Sequence, residues 1–377
     1  MYRQEANMII GIPREIKPEE NRIAIVPGGI ETLVQRGHTV LVESGAGKGS
    51  GYSDDELKKA GARILPKHGD IFAEADLVLK VKEPLPEEYN LLRADQILFT
   101  FLHFAASETL TRTLLEKKII GIAYETVQTE DGFLPLLSPM SEIAGRMAPQ
   151  EGAKYLEKPC GGEGILLGGV AGVPPAQVVI LGGGTVGYNA ARVASGMGAT
   201  VTILDANPRK LRLMDELFQG RVPTMMSDSY NIRTIIKDAD LLIGAVLIPG
   251  AKAPKLITRY LLKTMRPGAV LVDVSIDQGG CAETSRPTTH AHPIYEEEGI
   301  IHYTVANIPA AVPRTATRAL TLNTLPYVIE IAEKGWKKAA KENASLAKGV
   351  NLVEGNVTYK AVAEAFKMPF VPLEQLL

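Results

Sequence analysis

The sequence predicts an α/β chain of two doubly wound domains, and three observations carry that reading. Short apolar runs alternate with longer amphipathic pieces. One of these runs enters a G-x-G-x-x-G turn followed by a small-residue helix. Between Pro135 and Pro175 prolines and glycines break the rhythm, as at a join between domains, and 377 residues suffice for two cores.

From Met8 the runs are Ile9–Ile12, Thr39–Glu43, Leu77–Val81, Ile97–Leu102 and Ile119–Ala123. They are nearly continuous in apolar residues, the pattern of parallel strands covered by helices on both faces. In such a sheet a ligand lies beyond the carboxyl ends of the strands, so the polar residues there are the candidates. Arg22 lies in the polar segment after the first run, Lys82 follows the third and His103 the fourth. They converge on one rim if the strands are neighbours. Lys80 shares the period-two face of Lys82, and spacing alone does not separate the two.

In the break, Ser138-Pro-Met-Ser141 opens a helix with Ser141 near its start. The glycine-rich stretch 161–172 reads as a loop packed close to another element or to a neighbouring subunit. Val178–Leu181 is then a strand running into the glycine turn. Gly182 permits the tight turn, Gly184 lets the backbone approach a pyrophosphate, and Gly187 lets the helix lie close on the sheet. Thr185 and Val186 open that helix, whose N–H groups face the phosphates.

The next run, Ala199–Asp205, ends in a carboxylate at the spacing of a ribose-binding acid. Asp205 would accept the adenosine ribose hydroxyls and repel a 2′-phosphate, which favours NAD over NADP. Arg209 and Lys210 nearby are basic groups able to meet a phosphate. The runs Asp240–Val246, Gly268–Asp277 and Ile300–Ala306 repeat the logic and end near Leu247, Gln278 and Asn307. Asp277 is the carboxylate placed for the nicotinamide side, Asn307 is a neutral donor and acceptor at the same edge, and Asp273 reads as structural. From Arg314 the chain reads as helical and able to return to cover the first domain, with 333–348 as a solvated charged face.

Composition narrows the partners. A formal net charge of −2 without a basic run excludes a nucleic-acid surface. The longest apolar stretch, 241–251, is interrupted by Gly244, Pro249 and Gly250 and is too short for a bilayer, so no membrane span is expected. The segment Met1–Asn7 has no apolar core and is not expected to be a signal peptide. Cys160 and Cys281 lack metal spacing and fit a reducing, cytoplasmic compartment. His290-Ala-His292 is half of a metal pattern without a Cys or acidic partner, so no metal is expected.

Nearly the whole chain from Met8 resembles the alanine dehydrogenase/nicotinamide nucleotide transhydrogenase family, and most closely its L-alanine dehydrogenases. The resemblance rests on Gly11-Ile-Pro-Arg-Glu-Ile-Lys17, Asn21-Arg-Ile-Ala, Leu79-Lys-Val-Lys82-Glu-Pro, Phe99-Thr-Phe-Leu-His103-Phe-Ala-Ala and Ala123-Tyr-Glu-Thr-Val. It continues through Pro139-Met-Ser141-Glu-Ile-Ala-Gly-Arg, Gly182-Gly-Gly-Thr-Val-Gly187, Ile243-Gly-Ala-Val, Pro249-Gly-Ala-Lys-Ala-Pro, Asp273-Val-Ser-Ile-Asp277-Gln-Gly-Gly and Val305-Ala-Asn307. One departure is Ile308, where a methionine is frequent in the family; packing rather than chemistry should feel it.

The resemblance implies a Rossmann-type NAD domain over 135–313 and a Rossmann-like substrate domain split between 1–134 and 314–377, with a cleft between them. It implies reversible oxidative deamination of L-alanine by NAD to pyruvate, ammonia and NADH, commonly by a homohexamer. Arg22 and Lys82 would hold the substrate carboxylate and carbonyl, His103 would be the acid/base, and Asp277 would assist near the reacting carbon. Ser141, Asp205, Lys210, Ser227, Val246 and Asn307 correspond to cofactor contacts, with Leu247 beside Val246. Two alternatives stand beside this reading. One is the NAD-binding hydride-transfer subunit of a transhydrogenase, which would not need His103 with Lys82 as a substrate pair. The other is a non-catalytic dinucleotide-binding protein, which would form no NADH from an amino acid.

Overall fold

Each apolar run is short, rich in Val, Ile and Leu, and ends at a glycine, proline or polar cluster, so the chain makes many brief strands. The computed structural model describes residues 7–246 and 253–377. Six strands come first: β1 (Ile9–Ile12), β2 (Thr39–Glu43), β3 (Arg63–Leu65), β4 (Leu77–Leu79), β5 (Ile97–Thr100) and β6 (Ile120–Ala123). Then follow β7 (Gln177–Leu181), β8 (Thr200–Asp205), β9 (Thr224–Met226), β10 (Leu241–Gly244), β11 (Val270–Asp273), β12 (Ile294–Glu297) and β13 (Ile300–Tyr303). The last two are β14 (Val350–Val353) and β15 (Asn356–Val357).

They form two sheets, one per unit. The first has eight strands in the order β15-β14-β6-β5-β4-β1-β2-β3 and belongs to the unit made of Met1–Met140 with Ala310–Leu377. β1 to β6 are mutually parallel where they pair, whereas β14 runs antiparallel to both β6 and β15. Order reverses at β1, which has β2 on one side and β4 on the other. The second sheet has seven strands, β12-β13-β11-β10-β7-β8-β9, in the unit Ser141–Pro309. Here only β12 is antiparallel, and order reverses at β7, between β10 and β8. Both sheets are thus α/β sheets of mainly parallel strands with a topological switch point.

Burial follows the sheets. The strands β4, β5, β6, β10, β11 and β13 are buried at every position. One core gathers Leu41, Phe72, Val78, Leu98, Leu102 and Leu352, and the other Val179, Leu204, Leu242, Leu262 and Leu271. The division into units falls inside the helix Ser138–Tyr155, which starts three residues before Ser141. It assigns 135–140 and 310–313 to the first unit rather than to the expected central segment. The glycine-rich stretch packs against its own unit: a Cβ on Gly168 would lie 2.4 Å from Met197 O.

Several details differ from the expectation. The end of the chain is not helical throughout, because after the helix Pro313–Lys334 and two shorter ones β14 joins the edge of β6. The edge strands β3 and β9 and the antiparallel β12 carry three or four residues each, too few for alternation to register. The run 268–277 is a strand only to Asp273, whose carboxylate accepts the Ser275 N–H and turns the chain into the 3₁₀ helix Val274–Gln278. Asp277 therefore stands exposed in a turn rather than at a strand end.

Candidate active site

In the first unit the three candidates follow adjacent strands. Ile10 pairs with Leu77 and Leu79 with Phe99, so β1, β4 and β5, the strands that Arg22, Lys82 and His103 follow in sequence, are parallel neighbours. The condition for their convergence on one rim is met.

Arg22 is buried, at 2% exposure, and its fork is already gripped. Nε and Nη2 donate to the two oxygens of Glu20 at 2.7 and 2.5 Å, and Nη1 reaches Met140 Sδ at 3.1 Å. A bidentate pair of this kind fixes the guanidinium plane while leaving it cationic.

Lys80 and Lys82, inseparable by spacing, have different neighbours. Lys80 is fully buried, with Nζ 2.7 Å from Glu88 Oε1 and 3.1 Å from Glu15 Oε2. Burial opposes its charge, but the two carboxylates outweigh burial and raise its pKa. Glu88 in turn meets His68 Nε2 at 3.2 Å, and His68 Nδ1 lies 2.6 Å from Glu43 Oε2. Lys82 meets this chain of alternating charges through its backbone. Its backbone N–H donates to Glu15 Oε1 at 3.3 Å, beside that of Val81 at 2.6 Å, and its carbonyl accepts from Thr100 Oγ1. Burial pushes the Glu15 carboxyl up, against the pull of Lys80 and the Val81 N–H. Despite burial, the Glu83 carboxyl is held below the usual range by Lys17 and Lys82.

His103 is half-buried and has a left-handed backbone, φ +47 and ψ +38. Its ring stacks on Phe101 with centroids 5.8 Å apart. Its N–H donates to Glu125 Oε1 at 2.6 Å.

In the second unit the glycine turn, Asp205, Lys210, Ser227, Val246 and Asn307 follow β7, β8, β9, β10 and β13, and Asp277 lies in the 3₁₀ turn after β11. Gly182 has φ +111, and a Cβ there would stand 2.4 Å from Ala245 O. A Cβ on Gly187 would stand 1.8 Å from Gly182 O. At Gly184, which precedes the helix Thr185–Gly196, a Cβ would meet none of the described residues within 4 Å. The first two glycines are explained by packing; the third leaves open space at a helix N-terminus, next to half-buried Thr185 and Val186. That is the cradle a pyrophosphate needs.

Asp205 ends β8 with Oδ2 accepting from Gly183 N–H at 2.7 Å and Oδ1 from Asn207 N–H at 2.8 Å. Each oxygen retains a lone pair for a ribose hydroxyl. Lys210 Nζ lies 3.7 Å from Oδ2, and Ser227 N–H donates to the Asp205 carbonyl at 3.1 Å. Val246 N–H donates to Ser275 Oγ, while Leu247 lies outside the described residues. Asn307 has φ +64 and its carbonyl accepts from His290 Nε2 at 3.3 Å. Half-buried Ser141 lies one turn before Gly145, at which a Cβ would meet Val186 O at 2.4 Å. Asp273 is structural, accepting from Ser275 N, Cys281 N and Ser285 Oγ. No group of three metal-ligating side chains occurs among the described residues.

Sequence reasoning passed over Glu15 and Glu125, because backbone N–H groups are their main partners and those have no sequence signature. Both sit in stretches that carry the family resemblance, which was their only signal.

A family model described as "Alanine dehydrogenase/PNT, N-terminal domain" matches residues 11–144, and "Alanine dehydrogenase/PNT, C-terminal domain" matches 148–360. The chain belongs to the alanine dehydrogenase/PNT family. An alanine dehydrogenase of Methanococcus maripaludis is 58% identical over 371 residues, 98% of this chain and 100% of that one. An alanine dehydrogenase of Geobacillus stearothermophilus is 54% identical with the same coverage. A solved L-alanine dehydrogenase superposes with a TM-score of 0.92 at 49% identity, over 96% of this chain and 99% of the other. A transhydrogenase of Sinorhizobium meliloti reaches a TM-score of 0.78 at 24% identity, over 94% and 99%, which shows the fold alone. Within the alanine dehydrogenase/PNT family the chain thus lies on the dehydrogenase side.

Proposed function

We infer that this chain catalyses the NAD-dependent, reversible oxidative deamination of L-alanine. The observation that carries the reading is full-length likeness to alanine dehydrogenases, supported by Arg22, Lys82 and His103 each following one of three neighbouring strands. Bound NAD supplies the acceptor for the Cα hydride, so that alanine, NAD and water become pyruvate, ammonium, NADH and a proton. Gly184 and the N–H groups opening the helix Thr185–Gly196 would receive the pyrophosphate, and Asp205 the adenosine ribose. Thr185, Val186, Ser141, Ser227, Val246, Asn307 and Lys210 complete the proposed cofactor contacts, with Leu247 retained from the family resemblance.

Arg22, immobilised by Glu20, supplies the fixed cation for the substrate carboxylate. Lys82 polarises the oxygen that becomes the pyruvate carbonyl. A His103 ring nitrogen takes a proton from the water that adds to the imine carbon, then returns one to the nitrogen so that ammonia leaves. Asp277 balances positive charge near the reacting carbon.

We further propose a homohexamer in the cytoplasm, on family resemblance and the free cysteines. No helix among the described residues is long and apolar enough to cross a membrane.

The test is NADH formation on mixing the protein and NAD with a panel of small L-amino acids. Alanine should dominate; nucleotide binding without amino-acid-dependent NADH would overturn the reading. His103→Ala should lower the rate by roughly two to four orders of magnitude and leave NADH affinity nearly unchanged.

A further inference from the structure

The orientation of the His103 ring is set from behind. Among the described residues neither of its ring nitrogens makes a hydrogen bond, and the one hydrogen bond it donates there is from the backbone N–H. What holds the ring is its stack on Phe101, itself edge-on to Tyr124 at 5.1 Å, and the backbone from which it projects. That backbone is left-handed, a conformation strained for a residue with a Cβ unless its surroundings enforce it.

The enforcing group is a carboxylate. Thr100 of β5 pairs with Ala123 of β6, and two residues past Ala123 the 3₁₀ turn Tyr124–Thr126 presents Glu125 beside the end of β5. Glu125 accepts from His103 N–H at 2.6 Å and from Leu102 N–H at 3.2 and 3.3 Å to its two oxygens. Successive amides converging on one anion are charge-assisted and direct the chain into the turn. The same device recurs one strand away, where Glu15 holds the N–H groups of Val81 and Lys82.

We propose that Glu125 is the positioning residue of His103: its carboxylate clamps the strained backbone that presents the imidazole, without touching substrate or taking a proton. The proposal rests on the reading of His103 as the acid/base. Without the clamp the backbone relaxes and the ring leaves the narrow range of angles that proton transfer requires.

The test is a double-mutant cycle in the reductive amination of pyruvate, with kcat, the pyruvate KM and the NADH Kd measured separately. Glu125→Ala should lower kcat about ten- to a hundredfold with NADH Kd unchanged, and Glu125→Gln, which keeps an acceptor oxygen, should recover most of it. In a His103→Ala background, Glu125→Ala should cost less than about twofold. Wild-type kcat in Glu125→Ala, or the same loss in both backgrounds, overturns the proposal. A wild-type rate in His103→Ala overturns the acid/base reading itself, a separate result. Should Glu125→Ala fail to fold, hydrogen exchange on the wild-type protein decides: the Leu102 and His103 amides should exchange slowly, and exchange at open-loop rates overturns the clamp.

Discussion

Lys80 Nζ stands 2.7 Å from Glu88 Oε1, and neither side chain reaches solvent. With Glu15 as its second partner, this lysine belongs to the interior, two residues from one proposed to touch substrate. Lys80→Ala would leave buried Glu15 without its cation and Glu88 with His68 as its remaining cation, and should destabilise the fold by about 3–5 kcal/mol. Lys82→Ala should instead fold and lose pyruvate binding and turnover. Thermal denaturation beside steady-state kinetics checks the pair, and the opposite assignment of the two effects would sink it.

His68 gives the same network a pH limit. Burial opposes its charge, but Glu43 and Glu88 push its pKa from 6.5 up to about 9. The folded value lies above the unfolded one, so the stabilisation is complete below the unfolded pKa and disappears as pH rises through about 9, a loss of up to about 3 kcal/mol. Wild-type stability to urea should fall between about pH 6 and pH 10, and His68→Gln should flatten that dependence. An undiminished slope in the variant would show that other groups carry it.

At the end of β8, Asp205→Ser removes a carboxylate while keeping a ribose acceptor. NAD should be preferred over NADP by the wild-type protein and the preference should narrow in the variant, since like-charge repulsion of a 2′-phosphate is relieved. Comparing kcat/KM for both cofactors measures it. Equal efficiency of the wild-type protein with both would refute the role.

Gly184 and Gly187 should respond oppositely to the same added methyl group. Gly187→Ala places a Cβ 1.8 Å from Gly182 O and should unfold or grossly distort the second unit. Gly184→Ala meets no atom of the described residues within 4 Å, so Tm should hold while NADH affinity falls about tenfold or more as the methyl takes the space proposed for phosphate. Unchanged NADH affinity in Gly184→Ala would argue against the pyrophosphate site.

These residues mark how far the sequence was legible. The glycine turn, Asp205 and the runs ending near Arg22, Lys82 and His103 were readable because local periodicity and turn chemistry specify them. The separation of Lys80 from Lys82 was not, since it depends on Glu15 and Glu88, which no pattern along the chain links to either lysine. Glu125 was hidden for the same reason: its partners are main-chain N–H groups more than twenty residues away. Asp277 was misplaced because an apolar run, Val272-Asp-Val-Ser-Ile276, looks like a strand until the Asp273 carboxylate captures Ser275 N–H. β14 and β15 were missed because they are four and two residues long and follow a helical stretch.

The pairing of β14 with β6 sets an order of events during synthesis. Val350 meets Ile122 across a loop that contains the whole of the second unit. A ribosome therefore releases β6 as a bare edge and keeps it so until Val350–Val353 has emerged. The second unit, contiguous in sequence, can fold during that interval; the sheet of the first is completed only after Val350–Val353 have been made. A chain stopped just before Val350 would retain the proposed cofactor half intact and carry an open strand edge in the other, the ingredients of a nucleotide-binding but aggregating fragment.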